Sequence, residues 1–360
     1  MDSNGTNTIN ASEEQIDLEH YTQSVIASIS SKASPRVKKA FPILIKKLHE
    51  FIVEADVTVE EWLAACALLV EAGQVTTDQR DEMVLVSDVL GVESLVDILA
   101  FKRSSEAAKK DQQASAVEPS HSAILGPFYR HGVPIQPNGT TIVRQLEKDA
   151  DYTRLFGRVF DAQGKPLKGA TVDIWHDAPD GLYDAQDPTK PQYHCRGRFE
   201  TDENGRYETI CLRPTPYPIP FDHSAGKLLQ MMGRHPYRPA HIHVSKSQGW
   251  VRGIPLTLCV TQFWIEAAGH KTLVSQVFDR ESDYLKDDAV FAVKDSLIID
   301  FIPIAQGKSA KEGYTAPDEL RDVLKYELEQ DFHLTKAVGG SEDPGLDIQG
   351  LAIGGEPVKS

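Results

Sequence analysis

The sequence predicts a mainly β protein, with a helical N-terminal domain followed by an antiparallel β-sandwich domain. Three observations carry this prediction. Apolar residues recur at helical spacing between Val37 and Ile52. Beyond about residue 117 proline, glycine and aromatic residues become frequent. From Leu155 onward, short alternating segments are separated by turn signals roughly every ten residues, the pattern of a sandwich.

Residues 1–33 are rich in Ser, Asn, Thr and Glu and are expected to form a disordered tail. Ser34-Pro35 reads as an N-cap with proline at the first helical position. Val37, Phe41, Leu44, Ile45, Leu48 and Ile52 then form one apolar stripe. Thr58-Val59-Glu60-Glu61 is a capping box that opens a second helix carrying Trp62, Leu63, Cys66 and Leu69. Two more helical segments, 81–90 and 92–101, flank Gly91, and the charged, Ala-rich run 102–117 reads as a linker or a solvated helix. We therefore expect a helical domain over 34–112 and a sandwich over 113–336. The expected strands lie near 155–161, 170–176, 198–201, 206–211, 241–246, 271–278, 297–303 and 324–334. Residues 337–360 are Gly-rich and read as a flexible tail.

The chain has 360 residues, a formal net charge of −15 and a pI near 5.3. That acidity disfavours nucleic acid and anionic membrane as partners, since both need clustered positive charge. No apolar run reaches the roughly 18 residues of a spanning helix, and no apolar leader is visible. Cys66, Cys195, Cys211 and Cys259 are scattered and form no C-x-x-C pair, so a reducing cytoplasm is the expected location.

The chemistry centres on Pro236-Tyr237-Arg238-Pro239-Ala240-His241-Ile242-His243. On a strand, His241 and His243 face the same side, with Ile242 buried behind them. Tyr183, in Gly181-Leu182-Tyr183-Asp184, and Tyr217, boxed by prolines in 216–220, are candidate partners on loops. A phenol stays neutral near pH 7 unless a strongly charged ion lowers its pKa. Phenolate and imidazole together suit Fe(III) better than zinc or copper. Taken singly, each tyrosine also reads as a half-buried loop aromatic. An Fe(II) site would want a carboxylate beside its histidines, and Asp184 is the one nearby candidate.

These segments resemble the intradiol ring-cleaving dioxygenases. Leu125-Gly-Pro-Phe-Tyr129, Gly181-Leu-Tyr-Asp184, Arg196-Gly-Arg-Phe199, Tyr217-Pro-Ile-Pro220, Gly233-Arg-His-Pro236 and Arg238-Pro-Ala-His-Ile-His243 run in the family's order, over roughly residues 35–304. The resemblance implies a non-haem Fe(III) held by Tyr183, Tyr217, His241 and His243. Within the family, Val86-Ser-Asp-Val-Leu-Gly91 and Asp288-Ala-Val-Phe-Ala-Val-Lys294 are similar to the hydroxyquinol 1,2-dioxygenases. By that similarity Leu85, Asp88, Ile124, Leu125, Gly126, Pro127, Phe128, Ile219, Pro220, Arg238 and Val290 line the pocket. Asp88 would meet a third ring hydroxyl.

The implied reaction uses O2 to open hydroxyquinol between its adjacent hydroxyl-bearing carbons, giving maleylacetate. Catechol opening to cis,cis-muconate is the alternative, and a non-catalytic β-sandwich binding module is the alternative of another class. Tyr217 would take a substrate proton. Arg238 would stabilise developing negative charge and Gln276 would position the reacting groups. The family's helical element implies a homodimer.

One spacing departs from the family. The positioning glutamine lies about 14 residues after the second histidine there, whereas Gln276 lies 33 after His243 here. Removing the 19 residues Val244–Gln262 restores the spacing and joins His243 to an apolar strand, Phe263-Trp-Ile. Nineteen codons are the length of a short intron. We read Val244–Gln262 as intron sequence carried into the chain, with a surface insertion as the alternative. Thr261-Gln262 also mimics the family's Thr-Gln, which makes Gln262 a decoy for Gln276.

Overall fold

The computed structural model describes residues 17–77, 80–110, 117–124, 132–245, 265–271 and 273–336. Those residues divide into two compact units, 17–65 and 66–336. This division falls at 65/66, inside the helix Val59–Val75, whereas the expected boundary at 112/113 lies between the last of the first five helices and the first strand.

The first unit holds α1 (Leu18–Ala27), α2 (Pro35–Glu54) and the start of α3 (Val59–Val75). Both predicted caps form. Ser34 accepts from the amide of Val37, and Thr58 and Glu61 each accept from the other's backbone N–H. Helix α1 corrects the expectation of a disordered tail through residue 33. Asp17 caps it, and the Thr22 hydroxyl meets His49 Nδ1 on α2 at 2.9 Å. Its polar composition hid it, because a single face packed on α2 is enough to order a helix this short.

The second unit continues with α4 (Glu82–Val89) and α5 (Val92–Lys110). Leu85, Val86 and Val89 lie in the same core as the strands, so these helices belong with the sheets. The strands are β1 (Ile135–Gln136), β2 (Tyr152–Phe160), β3 (Thr171–Trp175), β4 (Arg196–Glu200), β5 (Arg206–Leu212), β6 (Tyr217–Pro218), β7 (Tyr237–Arg238), β8 (His241–Ser245), β9 (Ile265–Glu266), β10 (Ser275–Asp279), β11 (Ile298–Ile299), β12 (Ile302–Pro303), β13 (Leu324–Glu329) and β14 (Phe332–His333). Helix α6 (Ser224–Met231), absent from the sequence reading, lies between β6 and β7 and packs on α4.

Two sheets carry the unit. One runs β1-β4-β3-β8-β10-β11 with β9 also on β3, and the other runs β12-β13-β2-β14 with β5 also on β2. Val172, Ile174, Phe199, Ile242 and Val277 from the first meet Leu155, Val159, Tyr207 and Leu328 from the second in one core. The expectation of an antiparallel sheet arrangement is corrected. β1 on β4, β11 on β10, and β13 and β14 on β2 are all parallel, so both sheets are mixed. Period-two alternation marks a strand and its buried face, but not the direction of its neighbour. The hairpin expected at 202–205 does not pair β4 with β5, since β4 lies on β3 and β5 on β2.

Along β3 the register is informative. Trp175, Ile174 and Asp173 pair with His243, Val244 and Ser245. The next two positions, Val172 and Thr171, pair with Ile265 and Glu266. The ladder thus passes from Ser245 to Ile265 as to consecutive partners, skipping the 19 residue numbers 246–264. Those residues lie outside the described set, as do the early tail 1–16, the linker core 111–116, the pocket candidates Leu125, Gly126, Pro127 and Phe128, and the C-terminal stretch 337–360.

Candidate metal centre

His241 and His243 sit two apart on β8 with both rings buried, and Ile242 is fully buried in the core. Their ring centroids are 4.5 Å apart. Trp175, opposite His243 on β3, stacks on that imidazole at 4.9 Å and 5°. The carbonyl of Pro239 lies 2.6 Å from His241 Nδ1. A proton on Nδ1 satisfies that contact and makes Nε2 the acceptor, the tautomer that a metal-binding histidine uses.

The tyrosines arrive from loops that the backbone constrains. Gly181 has φ +77 and closes a turn onto the Ala178 carbonyl, two residues before Tyr183. A side chain there would meet Tyr217 Cβ at 3.4 Å, so the two tyrosine loops touch at the glycine. Tyr217 pairs with Arg238 across the two-residue ladder of β6 and β7. That ladder carries a residue 24 positions before His241 to its side. Tyr183 Oη stands 2.9 Å from His243 Nε2, and the Tyr217 ring lies 5.4 Å from His241 and 5.5 Å from Tyr183. All four side chains therefore converge in the protein interior.

Arg238 and Gln276 stand beside them. Arg238 is buried and donates from Nη1 to His241 Nε2 at 3.1 Å and from Nη2 to Gln276 Oε1 at 3.1 Å. Gln276 lies directly opposite His243 on β10 and donates to the Ile124 carbonyl. Gln276, the glutamine favoured by the spacing, stands beside Arg238; Gln262 lies outside the described residues.

Comparison with known proteins agrees with this geometry. A dioxygenase family model matches residues 124–262, and a model for the catechol dioxygenase N terminus matches residues 34–108. A catechol 1,2-dioxygenase of Candida albicans is 38% identical over 282 residues, covering 78% of this chain and 83% of that protein. A hydroxyquinol 1,2-dioxygenase of Rhizobium sp. is 36% identical over 295 residues, covering 82% and 89%. The crystal structure of hydroxyquinol 1,2-dioxygenase from Pseudomonas putida superposes with a TM-score of 0.70 at 28% identity, covering 89% of this chain and 99% of that one. The chain belongs to the intradiol ring-cleaving dioxygenases.

Intradiol dioxygenases depend on iron, and the donors here fit it. Among the described residues no group of three His, Cys, Asp or Glu could hold a metal, so the tyrosines are needed to complete a site. Asp184, the carboxylate an Fe(II) reading would use, is already engaged with the Arg196 guanidinium and the Tyr193 amide. Burial, reinforced by Arg238, pushes the His241 pKa well below the usual imidazole range. Burial and the neighbouring His241 do the same to His243, so both rings are neutral. Burial raises both phenols; Tyr217 and Asp177 add to the rise at Tyr183, while Arg238 and the hydrogen bond with Tyr183 partly offset it at Tyr217. A bound cation reverses that order.

The described pocket candidates are buried or half-buried. Leu85, Ile124, Ile219 and Val290 are buried in one core with Tyr183 and Tyr217, and Pro220 is half-buried next to Ile219. Asp88, on α4, is 1% exposed. Its pKa is raised well above the carboxylate range, first by burial and then by a hydrogen bond with Glu93, and it feels the charges of Arg238 and Asp288. Sequence reasoning passed over Trp175, Arg196 and Asp288. Asp288 stood inside a quoted motif, but nothing in the spacing placed it beside Arg238.

Proposed function

We propose that the chain is a hydroxyquinol 1,2-dioxygenase that uses O2 to open 1,2,4-trihydroxybenzene between its adjacent hydroxyl-bearing carbons to maleylacetate. Tyr183, Tyr217, His241 and His243 would hold non-haem Fe(III). When bound, the metal supplies a Lewis acid that chelates the 1,2-diol and makes its ring reactive toward O2. The protein supplies the rest. Tyr217 Oη takes a substrate hydroxyl proton. Arg238, fixed by three partners, presents a cation where negative charge develops on the opening ring. The buried apolar walls exclude water from the reacting carbons.

The choice of hydroxyquinol over catechol rests on Asp88. Its Oδ1 is buried and has no hydrogen-bond partner among the described residues. A third ring hydroxyl would satisfy it, whereas catechol would leave it bare. Sites built to bond a hydroxyl reject analogues that lack it. We expect kcat/KM for hydroxyquinol to exceed that for catechol by at least about tenfold, and Asp88→Ala to bring the two near parity. Steady-state oxygen uptake on one preparation checks this. Catechol as the better substrate of the wild type overturns it.

The exposed apolar residues of α2, among them Leu44, Leu48 and Phe51, support a homodimer through the helices. Sedimentation at twice the 39.8 kDa chain mass is the expected result. The free Cys66, Cys195 and Cys211 suit a cytoplasmic location. We read Val244–Gln262 as intron sequence. The register along β3 supports this, since deleting those 19 residues leaves Ile265 opposite Val172. A transcript that carries the 57 nucleotides would end the intron reading.

A further inference from the structure

We propose that Asp288 is a positioning residue that sets Arg238 and the Val290 wall of the pocket as one unit; the role rests on the ring-cleavage reading above. Asp288 is 4% exposed and its carboxylate has four donors around it. Oδ1 accepts from Arg238 Nε at 3.1 Å and from the Val290 amide at 3.3 Å. Oδ2 accepts from Arg238 Nη2 at 3.4 Å and from the Ala292 amide at 3.0 Å. One side chain therefore fixes the guanidinium and folds the backbone of 288–292 around itself.

The same loop is held from two other directions. Ser94 Oγ donates to the Val290 carbonyl at 2.9 Å. The Arg234 guanidinium donates to the carbonyls of Asp288 and Ala289 and to that of Val89, one residue after Asp88. The end of α4 beside Asp88, the loop at Val290 and the arginine are thus joined through a short polar network.

The consequence is specific. A guanidinium is a planar fork, and its bidentate pairing with Asp288 fixes its plane while Nη1 faces His241 and Nη2 bridges to Gln276. With Asp288 replaced, Arg238 retains its charge but loses that orientation. Orientation acts on the reacting state more than on binding, so the loss falls on kcat. Ser94 touches the loop but not the arginine, so its loss falls on KM.

The test is a double-mutant cycle on the iron-loaded full chain, read by kcat and KM for hydroxyquinol, with iron content and visible spectrum as controls. Asp288→Asn is expected to lower kcat about a hundredfold with iron content unchanged. In an Arg238→Ala background the same substitution is expected to lower kcat less than about twofold, because the residue it positions is gone. Ser94→Ala is expected to raise KM and leave kcat within about twofold of the wild type. Equal losses from Asp288→Asn in both backgrounds overturn the proposal, as does a Ser94→Ala kcat loss matching that of Asp288→Asn. Where Asp288→Asn does not fold, the Ser94→Ala split decides. A wild-type chain that cleaves neither hydroxyquinol nor catechol overturns the ring-cleavage reading itself.

Discussion

One protonation state of the buried His176 fits its surroundings. His176, at the end of β3, accepts the Leu212 amide at Nε2 over 3.2 Å, and its Nδ1 lies 2.6 Å from the Asp177 carbonyl. Only the neutral ring with its proton on Nδ1 satisfies both. Burial pushes its pKa down to about 4. A histidine depressed in the fold contributes stability above its unfolded pKa of about 6.5 and loses it as pH falls toward 4. Between pH 7 and pH 5 this contribution is expected to shrink by about 2 kcal/mol. Denaturant melts of the wild type and His176→Gln at both values check it. The wild type should lose more stability on acidification than the variant, and equal losses would remove His176 from the account.

Among single residues, the sequence made the candidate donors legible and their supports obscure. His241 and His243 were readable because a strand has period two, and Tyr217 because prolines box it. Trp175 was not readable as the plane behind His243. That contact depends on β8 lying against β3, and no periodicity within either strand encodes the pairing. Gln276 became readable only through the spacing to His243, and its contact with Arg238 follows from β10 lying beside β8.

For the elements, the helices from Pro35 onward and most strands fall close to where local pattern puts them. The exceptions have physical causes. Helix α1 is polar and is held by its contacts with α2, and α6 is a short helix flanked by tight turns. The strand directions failed because the parallel pairs join segments far apart in sequence, such as β13 on β2. The most informative element is the ladder on β3. Closing a 19-residue insertion within one strand costs about 2–3 kcal/mol of chain entropy. The chain lacking Val244–Gln262 is therefore expected to melt about 5 °C or more above the full chain, with ring-cleaving activity retained. Calorimetry and oxygen uptake on the two chains check this. A lower melting point or lost activity would make the segment part of the working enzyme.

For the whole molecule, two mixed sheets around one core bring a loop, a two-residue ladder and a central strand to a single buried point. No helix among the described residues is long and apolar enough to cross a membrane. We propose that two phenolates and two imidazoles meet there on Fe(III). The visible absorption spectrum of the purified, iron-loaded chain tests this most directly. A broad phenolate-to-iron charge-transfer band is expected, and it should shift or bleach in both Tyr183→Phe and Tyr217→Phe. A colourless iron-loaded protein, or a band unchanged by both substitutions, would contradict it.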